Sequence, residues 1–137
     1  MIQLRSDDMH RIVGLLPKDV LKIVKENNVF LAGGYIRARI AGEVVSDIDL
    51  LVGTDKKAED LANQLANTRG DKKPWKTKNA FTITDIGKTP VQFIKRWTFS
   101  EPKALIESFD FTIAQACVWF DGTQWQSLAS DHFYPDL

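Results

Sequence analysis

The chain has 137 residues, of which 44% are hydrophobic and 26% charged. This composition suits one globular domain with a real core and excludes both a disordered tail and a pair of independent domains. Eighteen basic side chains balance eighteen acidic ones, so no net field draws the molecule to a polyanion, and any nucleic acid must be held by a local patch. No apolar run approaches the roughly 18 residues of a membrane helix. The opening MIQLRSDDMH brings acids early and lacks the continuous apolar stretch of a secretory signal. The expectation is one domain over residues 1–137, without membrane attachment, in the cytoplasm. Cys117 stands alone in the apolar run Ala116-Cys117-Val118, so it makes no internal disulfide and reads as a small buried hydrophobe.

In chain order, Pro17 to Asn28 predicts a helix, with Pro at its start and Val20, Leu21, Ile23 and Val24 toward one side. Val29 to Ala32 predicts a short buried strand that stops at the Gly33-Gly34 turn. Tyr35 to Ala41 predicts a short helix, closed by Gly42 where a left-handed residue belongs. Asp47 to Val52 alternates acid and apolar residues and predicts a second strand beside the first. A helix follows from a cap at Thr54 or Asp55 to about Asn67, with Ala58, Leu61, Ala62, Leu65 and Ala66 at helical spacing. Arg69 to Lys78 reads as a basic loop, Ala80 to Asp85 and Pro90 to Trp97 as strands, and Ser100 onward as a helix ending near Phe109. Asp121-Gly122 signals a hairpin across which Trp119 and Trp125 are expected to face each other. The last dozen residues read as peripheral.

The chemistry concentrates on two neighbouring features. Asp47 and Asp49, two apart on a strand, leave the same face while Ile48 enters the core. Two such carboxylates can grip divalent cations, and a pair of metals roughly 3.5–4 Å apart stabilises both the attacking and the leaving oxygen in phosphoryl transfer. Magnesium, or manganese, suits oxygen ligands that leave positions open for phosphates. Gly33-Gly34 ends a strand and opens a helix, which points bare backbone N–H groups at triphosphate oxygens. One helix and a return turn bring the two features together. Separately, a D-x-D is a solvated strand end and a Gly-Gly is a turn; the ordered context carries the signal.

On these residues the chain acquires a resemblance. Leu31-Ala32-Gly33-Gly34-Tyr35-Ile36-Arg37, Gly42 and Ser46-Asp47-Ile48-Asp49-Leu50-Leu51-Val52 resemble the head domain of tRNA CCA-adding enzymes and bacterial poly(A) polymerases. Phe109-Asp110-Phe111-Thr112-Ile113-Ala114-Gln115-Ala116 is similar to that family's Arg-Arg-Asp-Phe-Thr-Ile-Asn-Ala segment. The resemblance implies an α/β (α+β) nucleotidyltransferase fold of the polymerase-beta type, a small mixed sheet flanked by helices. It also implies Asp47 and Asp49 as catalytic metal ligands, Asp110 as an assisting carboxylate, and Gly33, Gly34, Arg37 and Ser46 as nucleotide-binding residues. Arg37 also reads as a surface helix charge and Asp110 as a capping acid. The chain departs from the pattern at Ser108-Phe109, where the paired arginines stand, and at Gln115. Gln92, a neutral amide, occupies the strand on which related proteins often carry a third acid.

The loop from Arg69 to Lys78 supplies the chain's local basic patch, with Lys72, Lys73, Lys76 and Lys78 around Trp75. It reads either as a solvated loop or as a nucleic-acid contact combining phosphate pairing with base stacking. His10 and His132 have no ligand spacing. Two functions are consistent with these residues. One is transfer of a nucleoside monophosphate from an NTP to a hydroxyl, on an RNA or tRNA 3′ end, a protein or a small molecule. The other is an inactive module of the same fold that binds nucleotide or RNA or assembles with another protein. Stand-alone heads of this kind occur in phages, and one half of a toxin–antitoxin pair is a third, weaker reading.

Overall fold

The first strand forms where the sequence turns apolar between two polar stretches, and everything else is arranged around it. The structure is a computed structural model describing residues 1–70, 73–85, 87–95, 102–108 and 114–137. Its elements run α1 (Ser6–Gly14), α2 (Lys18–Glu26), β1 (Phe30–Ala32), α3 (Gly34–Ala41), β2 (Ile48–Leu51) and α4 (Asp55–Thr68). They continue with β3 (Trp75–Lys76), β4 (Ala80–Ile83), β5 (Val91–Ile94), α5 (Pro102–Glu107), β6 (Ala116–Phe120) and β7 (Trp125–Ala129). The seven strands form one sheet in the order β3-β4-β5-β2-β1-β6-β7. It is mixed, because β2 and β5 run parallel while every other neighbouring pair is antiparallel.

Alternation along the strands divides the sheet into two unlike faces. Leu31, Ile48, Leu50, Phe81, Val91, Phe93 and Val118 project to the face covered by α1 to α4 and form the main core. Leu31, Leu50, Val91, Phe93 and Val118 are fully buried, each contributing roughly 1.5–3 kcal/mol relative to exposure. Ala32, Leu51 and Cys117 project to the other face, where Leu105 and Ile106 of α5 cover them. Helix α4 is long because Thr54 caps it, accepting a hydrogen bond from the Lys57 N–H at 3.1 Å. Its buried stripe Ala58, Leu61, Ala62, Leu65 and Ala66 lies on β4 and β5.

Three polar interactions fix the periphery. The Arg69 guanidinium, with its side chain only 3% exposed, donates to Asp19 at 2.8 and 3.2 Å and to Asp85 at 2.8 Å. It thereby ties the end of α4 to the start of α2 and to the segment after β4. The Tyr35 hydroxyl donates to the Ile12 carbonyl at 3.0 Å, joining α3 to α1. The Tyr134 hydroxyl donates to Asp8 at 2.6 Å and accepts from the Arg5 N–H at 2.9 Å.

Four expectations change. Residues 6–14 form a helix that the sequence reading passed over. Part of the basic loop pairs as strand β3, with Trp75 opposite Thr82 and Lys76 opposite Phe81. The hairpin closes over four residues, not two: the Asp121 carboxylate accepts from the Thr123 and Gln124 N–H groups, each at 2.8 Å, and Phe120 pairs with Trp125. Trp119 therefore sits opposite Gln126 and packs edge-on against Phe30, while Trp125 packs on Phe120. Finally, the C-terminal dozen is integral, since Ser127, Ala129 and Phe133 are buried and Ile2 bridges to Ala129.

Removing the cation from the Arg69 cluster deprives two partly buried carboxylates, Asp19 and Asp85, of the guanidinium they share. Arg69→Met is expected to cost about 3 kcal/mol. At this chain length that lowers the melting temperature by roughly 10 °C, which a thermal melt followed by circular dichroism would measure.

Candidate functional site

Gly33 is the hinge of the site. It adopts φ +76° and ψ −151°, a region open essentially to glycine. That turn lets the chain leave β1 and enter α3 at once, so the first N–H groups of α3 face outward with no side-chain cap. Gly34 is exposed at the helix start. A side chain at Gly33 would also crowd the neighbouring strand: its Cβ would lie 3.1 Å from the Asp49 carboxylate oxygen Oδ2, which would have to shift by a few tenths of an ångström. The sequence thus keeps two glycines because the backbone must both turn and lie against a carboxylate.

Asp49 reaches that position through strand pairing. It lies opposite Ala32 of β1 and beside Gln92 of β5, on the face opposite the main core, whereas Ile48 points into the core as expected. Asp47 immediately precedes β2. Its charge and a hydrogen-bonding contact with Asp49 reinforce burial, the largest influence, in pushing the Asp49 carboxyl up to about 7 from an ordinary 3.8. Asp49 Oδ1 is buried with no hydrogen-bond partner. Two adjacent carboxylates, one with an orphaned oxygen, form a site of excess negative charge that a divalent cation would relieve. Among the described residues no cluster of three or more His, Cys, Asp or Glu side chains gathers to hold a metal, so the acid pair is joined by the neutral Gln92 instead of a third acid.

The other expected residues are distributed unevenly. Ser46 is exposed just before Asp47. Arg37, in the second turn of α3, forms a bidentate pair with Glu43 beyond the helix, which holds its guanidinium at that carboxylate. Asp110 and Lys72 lie outside the described residues. Of the basic patch, Trp75 is 68% exposed and Lys73, Lys76 and Lys78 are exposed. The Lys76 ammonium lies over the Phe81 ring, 6.0 Å from its centroid, with that of Lys95 4.8 Å from the same ring. Lys76 therefore belongs to the face opposite the carboxylates, and Trp75, one residue away, to theirs. The sequence reading did not separate them because it treated the segment as a loop with no alternation.

A separate cavity of about 530 Å³ opens at the far end of β2, lined by Phe30, Leu51, Lys57, Leu105, Trp119 and Asp121 among others. Its charged groups are already engaged, Lys57 with the Asn27 carbonyl and Asp121 within its own hairpin. The carboxylates beside Gly33 hold the unsatisfied chemistry, and the candidate site is placed there.

A family model for the Gabija anti-defense 2 family protein matches residues 4–137. The chain belongs to that family. It is 24% identical over 113 residues to a protein called Gabija anti-defense 2 from Bacillus phage SPbetaL7, covering 82% of this chain and 28% of that one. The chain thus spans little more than a quarter of its curated relative. Among solved structures, it resembles a CCA-adding enzyme in complex with CTP, at TM-score 0.68 and 19% identity, over 99% of this chain and 34% of that one. A Thermotoga maritima CCA-adding enzyme complexed with tRNA matches at TM-score 0.67 and 19% identity, over 99% and 34% of the two chains. A tRNA nucleotidyltransferase complexed with a primer tRNA and an ATP analogue matches at TM-score 0.58 and 21% identity, over 84% and 35%. These likenesses establish a nucleotidyltransferase fold for the chain, a mixed sheet with flanking helices.

Two outcomes follow from the geometry. Gly33→Ala is expected to destabilise the protein by about 1–3 kcal/mol through its backbone conformation and to displace Asp49, so that denaturant unfolding and divalent-cation affinity fall together. Because the Asp49 carboxyl sits near 7 in the fold against 3.8 ordinarily, the folded state binds the extra proton between those values. Stability of the cation-free protein therefore declines as pH rises from about 4 to about 7. Asp49→Asn should flatten that decline and raise the melting temperature near pH 8. Magnesium should stabilise the unsubstituted protein there and leave Asp49→Asn unmoved.

Proposed function

We propose that this chain is a metal-dependent nucleotidyltransferase that moves a nucleoside monophosphate from an NTP to a hydroxyl acceptor in the service of phage counter-defence. The observation that carries the reading is the unpartnered, buried Oδ1 of Asp49 beside Asp47, at the mouth of the Gly33-Gly34 turn. The residues fit a divalent cation: two adjacent carboxylates offer oxygen ligands, and Gln92 offers a neutral oxygen beside them. Magnesium or manganese held by Asp47 and Asp49 would supply polarisation of the α-phosphate and neutralise charge gathering on its oxygens.

The chain's own groups do the rest. The open N-terminus of α3 presents backbone N–H groups and a positive dipole end to the triphosphate. With the NTP held so, the acceptor hydroxyl oxygen forms a bond to the α-phosphorus as the bond to the bridging oxygen breaks. Pyrophosphate leaves and the hydroxyl proton passes to water. Asp110 is carried into this reading as an assisting carboxylate on the resemblance of its segment. Arg37 serves the triphosphate by exchanging Glu43 for a phosphate, a swap between two anionic partners of similar geometry.

Gln92 favours a second reading. A neutral amide beside Asp49, in place of an acid, lowers the negative charge available to a second cation, which suits a module that binds nucleotide without transferring it. The two readings separate in one experiment. The purified protein is incubated with each radiolabelled NTP, magnesium or manganese, and host RNA and protein, beside Asp47→Asn/Asp49→Asn. Transfer of label by the unsubstituted protein alone, at least 100-fold above the double variant, is the expected outcome and identifies the acceptor class. NTP binding without transfer would establish the binding module.

A further inference from the structure

The strand register carries a row of side chains from the acid pair to the edge of the sheet. Asp49 lies beside Gln92, Gln92 opposite Thr82, and Thr82 opposite Trp75. Directly paired residues share a face, so all four belong to the face opposite the main core. At that end of the face, Gln92 and Thr82 are partly exposed and Trp75 is 68% exposed. Helix α5 covers the other end, packing on Leu51, Ala32 and Cys117. The row offers a carboxylate, an amide, a hydroxyl and then a bare indole.

The spacing decides what such a row can hold. Three inter-strand steps put Trp75 roughly 14 Å from Asp49. One nucleotide whose α-phosphate sits at the acid pair does not reach that far with its own base. A single strand with a rise of about 3.4 Å per stacked nucleotide covers the distance in about four residues. An exposed indole on an otherwise polar strip is what base stacking uses, and Thr82 and Gln92 can hydrogen-bond sugar or base edges along the way. The Lys76 and Lys95 ammonium groups lie across the strand on the opposite face, so neither reaches a strand laid along this row, and the indole supplies its contact by stacking.

We infer that Trp75 is a stacking platform for a single-stranded nucleic-acid acceptor, whose terminal hydroxyl lies at Asp47 and Asp49 while a base about four residues back rests on the indole. This rests on the nucleotidyltransferase reading and names its acceptor. The test is fluorescence anisotropy with labelled oligo(A) and oligo(U) of one to eight residues, in ribo and deoxy forms. It is run on the unsubstituted protein, Trp75→Ala and Trp75→Phe, with magnesium–NTP binding measured in parallel. Affinity is expected to step up near four residues. Trp75→Ala should lose roughly 5- to 150-fold of it, Trp75→Phe should keep most of it, and NTP affinity should not change. Ribo and deoxy arms then tell RNA from DNA. Oligonucleotides that bind no tighter than the mononucleotide, or bind equally to Trp75→Ala, would overturn the inference and direct attention to a protein acceptor. If NTP binding is absent while the Trp75-dependent step persists, the catalytic reading fails and the stacking site stands.

Discussion

A carboxylate pressed against a peptide backbone organises this molecule. Asp49 can lie where it does because Gly33 has no Cβ, and Gly33 can turn as it does because no side chain restricts its φ. The same turn opens α3 toward solvent. One residue therefore sets the position of the acid, the direction of the helix and the exposure of its first N–H groups. The arrangement costs free energy in the absence of a cation, since a buried carboxylate with an unpartnered oxygen is held next to a second acid. The surrounding structure has to be stable enough to hold it.

That stability comes from the asymmetry of the sheet. The face covered by α1 to α4 buries large aliphatic and aromatic side chains on every central strand, and the site lies on the opposite face, beside the part that α5 covers. The polar fasteners lie away from the acids: Arg69 at the junction of α4, α2 and the segment after β4, and Tyr134 at the junction of the two termini. The Arg69 guanidinium in turn holds the Asp19 carboxyl below its ordinary range, chiefly by hydrogen bonding. Asp19 and Asp85 thus have a cation built into the chain, whereas Asp49 has an oxygen with no partner beside a second acid. The chain belongs to the Gabija anti-defense 2 family and shares its fold with CCA-adding enzymes.

Much of this was legible in the residues. The buried strand, the Gly33-Gly34 turn, the α3 helix closed by Gly42 and the acid-bearing strand all follow from local rules: apolar runs, glycine where φ is positive, and period-two alternation. Gln92 was linked to the acid pair only through the resemblance, and its register beside Asp49 comes from the parallel pairing of β2 with β5. Helix α1 was missed because its apolar residues Met9, Ile12 and Val13 are few and its polar residues many. The C-terminus was misjudged because the Tyr134 hydroxyl finds its partners at Arg5 and Asp8, more than a hundred positions away. The hairpin register failed on one hydrogen-bonding detail, the Asp121 side chain capping a four-residue loop in place of a two-residue turn.

The sequence by itself determined the order of the first elements and, through the ordered motif and its resemblance, the type of fold, since a strand, a glycine turn, a helix and an acid-bearing strand depend on near neighbours in the chain. Only the tertiary structure decided which side chains share the open face. Strand β3 lies in a stretch with no alternation of its own, and its register comes from β4, whose own comes from β5. Trp75 and Lys76, adjacent in a basic run, are thereby sent to opposite faces, the indole toward the carboxylates and the ammonium toward Phe81. Burial of Asp49 was likewise invisible beforehand, because it arises from the meeting of β1, β2 and the Gly33 backbone, and a charge's energy depends on what surrounds it in space.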